Sequence, residues 1–524
     1  MDINNVYSRG GDDVENTGIE SNISAVFENG TIFLTGATGF LGKMFLEKLL
    51  RSCPKLKRIY LLMRPKKGKN VEERLETIFD GPNMEPLKRK YPKFIDKVTI
   101  VNGDCTLPDL GMDEDVIDKL IRETNFIIHC AATVRFDQDI RTAAHINVRA
   151  VRDLITIAKQ MKDLKAFLHV STAFSHCVWS EIHEKCYEGG MAADKLLDLV
   201  EAIDEDRLTK MTPGLLGEWP NTYVFTKGIA ENLVAQEFET MPIAILRPAI
   251  VIASVDEPVK GWVDNLYGPT GGMIGAALGL LRSIQGKQEN ITELVPADYV
   301  INAGFAVIWD IVANRKNCQN GLLITPEETK HTEEPIFNVV SSTEAPITWK
   351  KFYYMTRKHA IHVPSELQLW YDFFAFREGR LHHLIACFFL HTVPAYLVDF
   401  ICLCIRRKPM LVQGYQKINK FMEVVSYFAL REWKFFDNNA QNLWRRMNPE
   451  DKRQYPFNMK NFDWDTYMHY YVRGARVYLL KDPLETIPKG RVKFWKLFIA
   501  HYTLIAILLL IFFKILCLLC SCIF

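Results

Sequence analysis

From residue 31 to about 254 the chain alternates short apolar runs with longer segments whose apolar positions recur at helical spacing. The runs at 32–34, 58–63, 98–101, 126–130, 167–170 and 243–246 read as buried parallel strands. Between them, 44–51, 71–78, 113–123, 141–161 and 222–238 carry the period of amphipathic helices. Strand and helix in alternation predict a doubly wound parallel sheet, an α/β fold. Residues 255–285 break the pattern. They are glycine-rich and amphipathic, and suit a mobile lid or a static surface loop. Residues 294–300 open another helix, 316–335 read as a polar loop, and 336–340 form a last strand. Beyond about 347 the helical pattern dominates and strands largely vanish. The expected division is a flexible leader at 1–25, an α/β domain at 26–345, a mostly helical domain at 346–500 and an apolar end at 501–524.

That end is long enough to matter. Residues 502–524 are almost continuously apolar, interrupted at Lys514 and Ser521, and about 20 such residues suffice to cross a bilayer. Lys489, Arg491, Lys493 and Lys496 lie just upstream, with Trp495 and Tyr502 at interface depth, and favour keeping the preceding bulk in the cytosol. A transmembrane tail anchor is therefore expected, with Lys514 snorkelling or facing a partner. A second apolar stretch, 384–404, contains His391, Pro394 and Asp399, which make a simple lipid-exposed span costly. It reads as a membrane-dipping or substrate-facing hairpin, or as a buried helix pair. Residues 1–25 are polar and acidic, unlike a signal peptide.

Composition removes some alternatives. The 524 residues carry a net charge of +2 without a long basic tract, so nucleic acid is not an expected partner. The twelve cysteines show no CxxC…CxxC zinc spacing, which argues against a zinc site and for a reduced, cytosol-facing protein.

The chemistry begins at Thr31-Ile-Phe-Leu-Thr-Gly36-Ala-Thr-Gly39-Phe-Leu-Gly42-Lys43. An apolar strand runs into three glycines spaced three apart, and a helix follows. Such glycines let the backbone approach a pyrophosphate, which the free N–H groups of the helix start can bind. This is the fingerprint of a dinucleotide-binding, Rossmann-type unit. The strand at 58–63 ends in Arg64-Pro65-Lys66-Lys67, with no carboxylate for a ribose hydroxyl. Arg64 and Lys67 suit a 2′-phosphate, which selects NADPH. Asp104, after the third strand, could bond the adenine amino group or cap a turn. Ala131 and Ala132, after the fourth, would let the nicotinamide ribose lie close.

Tyr223-Val-Phe-Thr-Lys227 sets a phenol and an ammonium one turn apart on one helix face. The lysine can favour the phenolate and hold ribose hydroxyls. A hydroxyl from the end of the 167–170 strand should bond the substrate carbonyl. Thr172 is the first candidate and Ser171 the second. Asn147 could support the lysine through water or serve as a helix-kinking core group. His176 and Arg135 are pocket candidates.

On Thr35 to Gly42, Val170-Ser171-Thr172-Ala173 and Tyr223 to Lys227 the chain resembles the extended short-chain dehydrogenase/reductases. Gly261-Trp262-Val263-Asp264-Asn265, Val295-Pro296-Ala297-Asp298-Tyr299 and His391-Thr-Val-Pro394-Ala-Tyr-Leu-Val-Asp399 make it similar to the eukaryotic alcohol-forming fatty acyl-CoA reductases. The resemblance implies reduction of a long-chain fatty acyl-CoA to a primary alcohol through an aldehyde, with release of coenzyme A. It implies Tyr223, Lys227, Thr172 and Ser171 as the catalytic set. Cofactor positions would be Thr35, Gly36, Thr38, Gly39, Phe40, Leu41, Gly42, Arg64, Lys67, Asp104, Ala131, Ala132, Asn147 and Pro248, with Tyr223 and Lys227. Membrane lipid is the second expected partner. The endoplasmic reticulum is the expected membrane, with the peroxisome as the alternative. Two rivals share the motifs: another membrane-bound extended reductase, such as a sterol dehydrogenase, and a non-catalytic nucleotide-binding scaffold. Acyl length and oligomeric state are not legible.

Overall fold

The computed structural model describes residues 20–66, 68–188, 190–319 and 334–523. Seven parallel strands form its main sheet: β1 (Thr31–Thr35), β2 (Arg58–Met63), β3 (Val98–Asn102), β4 (Phe126–His129), β5 (Ala166–Val170), β6 (Ile243–Pro248) and β7 (Ile336–Val339). Their spatial order is β7-β6-β5-β4-β1-β2-β3. The winding reverses between β1 and β4, which are hydrogen-bonded neighbours, and ligands of such sheets bind at that switch, beyond the strands' carboxyl ends. Ile32, Phe33 and Leu34 of β1 are fully buried, as a strand covered on both faces requires. Phe33, Tyr60, Ile127, Phe167 and Ile243 share one core with Val151 and Leu154, and each large apolar side chain contributes about 1.5–3 kcal/mol by leaving water. Helix α1 (Phe40–Ser52) follows β1, and helix α2 (Thr222–Ala235) precedes β6.

The chain divides into two compact units, and the division is not the sequential one expected at 345/346. The first unit takes residues up to 262 together with 291–347 and 432–462; the second takes 263–290, 348–431 and the chain from 463 onward. Residues 432–462 look like any helical stretch, yet they pack with the sheet. Trp433 Nε1 donates to the Cys177 carbonyl at 2.9 Å, and Asn439 Nδ2 to the Ile336 carbonyl at 2.9 Å.

Several local expectations need correction. Residues 255–285 are not one loop: Gly268–Ala277 is helical and Ser283–Gln285 is a strand. Leu294–Pro296 is a strand paired with Ile250–Ile252, so the helix expected from 294 starts at Ala297. That helix runs to Gln319, into the expected polar loop, whose residues 320–333 lie outside the described residues. Helix propensity in 297–319 simply outlasts its apolar stretch.

In the second unit, helix Trp349–Ala360 packs on Trp464–Gly474, and the Thr270 and Tyr471 hydroxyls meet at 2.7 Å. The stretch 384–404 is neither a hairpin nor a helix pair. It belongs to one helical run, α3 (Arg380–Cys404), with a π-type turn at Phe388–Thr392. Its antiparallel partner is the next helix, α4 (Leu411–Leu430). The last helix, α5 (Ile487–Ile523), has its first turns docked. A Cβ on Gly490 would lie 2.0 Å from the Pro364 carbonyl oxygen, and the Lys493 ammonium donates to the Glu366 carbonyl at 2.6 Å. From Leu504 to Leu519 its large apolar side chains are exposed. Both α3 and the run Leu484–Cys520 are long and apolar enough to cross a membrane.

Candidate active site

The turn after β1 is built for close approach. Gly36 has φ +75°, and a Cβ there would sit 2.6 Å from the Ala131 amide nitrogen. A Cβ on Gly42 would sit 2.1 Å from the Gly36 carbonyl oxygen, so α1 starts tight against the turn. Gly39 is the N-cap of α1 and brings no side chain to the helix start, which leaves first-turn N–H groups for an anion. This cradle fits the pyrophosphate of a dinucleotide. Thr38 and Leu41 stand half-exposed on it, and the Phe40 ring lies 5.2 Å from that of Trp262. Thr35 is fully buried and faces inward: its hydroxyl meets His129 Nδ1 at 2.8 Å and accepts the Ala131 N–H at 3.3 Å. Its part is to tie β1 to β4 beneath the cradle. Pro248 ends β6, and its carbonyl accepts the Ala173 N–H at 2.9 Å.

At the end of β2 the Arg64 guanidinium donates to Asp104 at 2.6 Å, and Arg74 donates to the Arg64 carbonyl. Asp104 also accepts the Thr106 N–H at 2.9 Å, the capping contact anticipated as one of its two roles. Burial alone would raise the Asp104 carboxyl. Arg64 and the Thr106 amide outweigh that and hold it below its ordinary range. Lys67 lies outside the described residues.

Helix α2 opens on Asn221, whose side chain accepts the Val224 N–H at 3.1 Å. Its 3.6-residue repeat then places Tyr223, Lys227 and Glu231 on one face. The Tyr223 phenol is hydrogen-bonded to the Thr172 hydroxyl. Burial pushes it up to about 12, against the pull of Thr172. The Lys227 ammonium is 2% exposed and donates to the Val170 carbonyl at 2.7 Å. Burial lowers it to about 8, with the Glu231 carboxylate working the other way. Successive residues at a strand end point to opposite sides, which separates the two hydroxyl candidates. Thr172 meets the tyrosine, whereas Ser171 donates to Glu231.

Glu231 and Arg247 join this cluster although neither stands in any of the sequence motifs. Glu231 is fully buried and accepts from Arg247 Nη2 at 2.6 Å and Nε at 3.1 Å. It also meets His176 Nε2 at 2.9 Å. His176 is therefore a buried partner of this carboxylate rather than a residue of an open pocket. Despite burial, Arg247 and His176 hold the Glu231 carboxyl far below its usual range. Arg247 reaches onward to the carbonyls of His183 and Lys185, at 3.1 and 3.0 Å. The signal available in the sequence was one further step of four along the Tyr223–Lys227 face.

Asn147 sits on the π-type turn His145–Arg149. Its side chain accepts the Thr133 N–H at 2.9 Å and donates to the Thr226 hydroxyl at 2.9 Å. It braces α2 from behind and does not touch the Lys227 ammonium. Arg135 pairs with exposed Asp137 at 3.1 Å.

Two family models match the chain, both described as male sterility protein, at residues 34–304 and 390–482. The chain is similar to "Fatty acyl-CoA reductase wat" of Drosophila melanogaster, 37% identical over 93% of this chain and 91% of that protein. It is 35% identical to "Fatty acyl-CoA reductase 1" of Homo sapiens over 94% of this chain and 93% of that one. Among solved structures, the terminal R domain of the myxalamid PKS-NRPS pathway matches at TM-score 0.54 and 17% identity, covering 87% of this chain and 93% of that one. That likeness bears on the fold alone.

Proposed function

Because the chain belongs to the fatty acyl-CoA reductase family, we propose that it reduces long-chain fatty acyl-CoA to the primary alcohol at the Tyr223 site, with NADPH as the nicotinamide cofactor. The observation that carries this reading is the Thr172–Tyr223 hydroxyl pair one turn from a buried lysine, beside the glycine cradle. When bound, the reduced nicotinamide supplies the hydride. The preference for NADPH rests on Arg64, a half-exposed cation at the end of β2 that is paired with Asp104 and would serve a 2′-phosphate.

The chain's own groups do the rest. The Thr172 hydroxyl and the Tyr223 phenol converge where a thioester oxygen gains negative charge, and Tyr223 Oη gives that oxygen a proton. A phenol whose proton is held up to about 12 before ligands bind is a stored donor, matched to reduction. Lys227 supplies positive charge beside the tyrosine, and the N–H donors it does not give to the Val170 carbonyl would hold the ribose hydroxyls of a bound cofactor. Collapse of the hemithioacetal expels the coenzyme A thiol and leaves an aldehyde. Tyr223, reprotonated from solvent, gives the second proton that completes the alcohol, the second hydride coming from a second equivalent of reduced nicotinamide.

Helix α5 serves as a tail anchor that keeps the site cytosolic on the endoplasmic reticulum, where the insoluble product enters lipid directly. The test is lipid analysis of detergent-purified protein incubated with NADPH or NADH and acyl-CoAs of graded length, beside Tyr223→Phe. Fatty alcohol and free coenzyme A from the unsubstituted protein alone are expected. Protein that binds NADPH but turns over no acyl-CoA would overturn the reading and favour a sterol substrate.

A further inference from the structure

The pair α3–α4 is asymmetric in a way that one helix alone does not reveal. The inner side of α3 is fully engaged. His391 Nε2 accepts the Arg282 N–H at 3.0 Å, and its ring stacks on Tyr415 at 4.9 Å. The Asp399 carboxylate accepts the N–H groups of Met410, Leu411 and Val412, at 3.0, 3.0 and 2.9 Å. It thereby caps the start of α4, the role that a carboxylate in an apolar stretch was missing. The inner side of α4 is also engaged: Ile418, Phe421, Met422 and Val425 pack with Leu281, Ile284, Phe374 and Phe376. The hairpin is held rigidly from within.

The outer sides differ. That of α3 is apolar and open: Leu381, Phe389, Tyr396 and Phe400 are 60–69% exposed. That of α4 is polar and open, with Gln413, Gln416, Lys417, Asn419, Lys420 and Glu423 exposed. The turn between them carries Arg406, Arg407 and Lys408, all exposed, beside exposed Ile405 and Met410. The exposed charges from 405 to 430 are thus five cations, Arg406, Arg407, Lys408, Lys417 and Lys420, against one anion, Glu423, and they lie at the border of the apolar face.

We infer that the α3–α4 hairpin is a second membrane contact, lying in the plane of a leaflet rather than crossing it. Hydrocarbon must cover α3, because an apolar face of this extent is not stable in water. Hydrocarbon cannot surround α4, whose outer row would then bury two lysines and a glutamate without partners. Only an interfacial position meets both demands, with α3 sunk to the acyl boundary and α4 at the headgroups. The cationic turn complements anionic lipid, which selects a bilayer over a second protein as the occupant. The inference shares with the proposed function its membrane setting, but it rests on α3 and α4 and not on α5.

The test uses the full chain in vesicles of phosphatidylcholine and phosphatidylserine containing a phosphatidylcholine with a diazirine on its acyl chain. After irradiation, lipid adducts are mapped by peptide mass spectrometry. Adducts are expected on Leu381, Phe389, Tyr396 and Phe400, and absent from Cys387, His391, Asp399 and the outer row of α4. In the double variant Phe389→Glu, Phe400→Glu the α3 adducts should fall roughly tenfold while those on 504–520 persist. Adducts on 504–520 alone would overturn the inference and leave the tail anchor standing. Protein–protein cross-links at Phe389 or Phe400, or adducts all round α4, would overturn it too, in favour of a second copy or a crossing hairpin. Loss of adducts on 504–520 alone would instead remove the tail anchor.

Discussion

Helices α2 and α3 invert each other. In α2, Thr226, Lys227 and Glu231 are almost completely buried, so a lysine and a carboxylate lie where water would normally solvate them. In α3, Phe389 and Phe400 are 62% and 64% exposed, where water would normally exclude them. Each arrangement costs free energy in the isolated chain. The costs are met differently. Helix α2 satisfies its charges internally, through Val170, Arg247, His176 and Ser171, and leaves one polar pair, Tyr223 and Thr172, for a ligand. Helix α3 satisfies its few polar groups internally and leaves its apolar row for a solvent other than water. A buried charge thus points to chemistry, and an exposed apolar row points to a bilayer.

The largest effect expected is on chemistry. Tyr223→Phe removes the proton donor while keeping the ring, and should lower kcat for alcohol formation by about 100- to 10,000-fold. Cofactor affinity, measured by fluorescence titration, should change little. Equal losses in both would mean that the phenol holds the ligand rather than giving a proton.

Next comes the internal pairing of α2. Arg247→Met leaves the Glu231 carboxylate buried with too few donors, and should cost about 3–5 kcal/mol in urea unfolding at neutral pH. Because the pair holds Glu231 below its ordinary value, its stabilisation is complete above about pH 4.3 and is lost as pH falls below that. The gap between the two proteins should therefore narrow in acid. A gap independent of pH would assign the loss to packing instead.

How much of this was visible beforehand depended on the range of the interaction. The cradle and the Tyr223–Lys227 face are local: three glycines at spacing three and two residues one turn apart fix their own geometry. The choice between Ser171 and Thr172 was not local, because either side of β5 could have faced α2. Glu231 was one step along a readable face, but its meaning lies in Arg247, on the neighbouring strand β6. Residues 432–462 are a similar case. Their helical period is the same in either unit, and only contacts such as Trp433 to Cys177 show where they fold. For α3, periodicity gave apolarity without showing that Asp399 caps α4.

A subtler change concerns protonation. The Lys227 ammonium, lowered by burial to about 8, is partly kept charged by Glu231. Reduction requires that charge, so kcat/KM should decline as pH rises past about 8. In Glu231→Gln the supporting negative charge is gone, and the alkaline limb should move to lower pH. An unmoved limb, with activity merely reduced, would make Glu231 a structural member of the site and nothing more.

The smallest effect is the one that separates the two helices most cleanly. Phe389→Gln or Phe400→Gln in detergent-solubilised protein should alter unfolding free energy by no more than about 0.5 kcal/mol, as for other exposed positions. Phe167, fully buried in the sheet, sets the scale: its truncation to alanine should cost about 3–5 kcal/mol. Near-neutral variants on α3 would mean that its phenylalanines do not hold the fold together, so their exposure needs another cause. A loss of several kcal/mol at Phe400 would place that ring in a packed core. The contrast between a helix that hides charge and a helix that shows hydrocarbon would then fail at its second term.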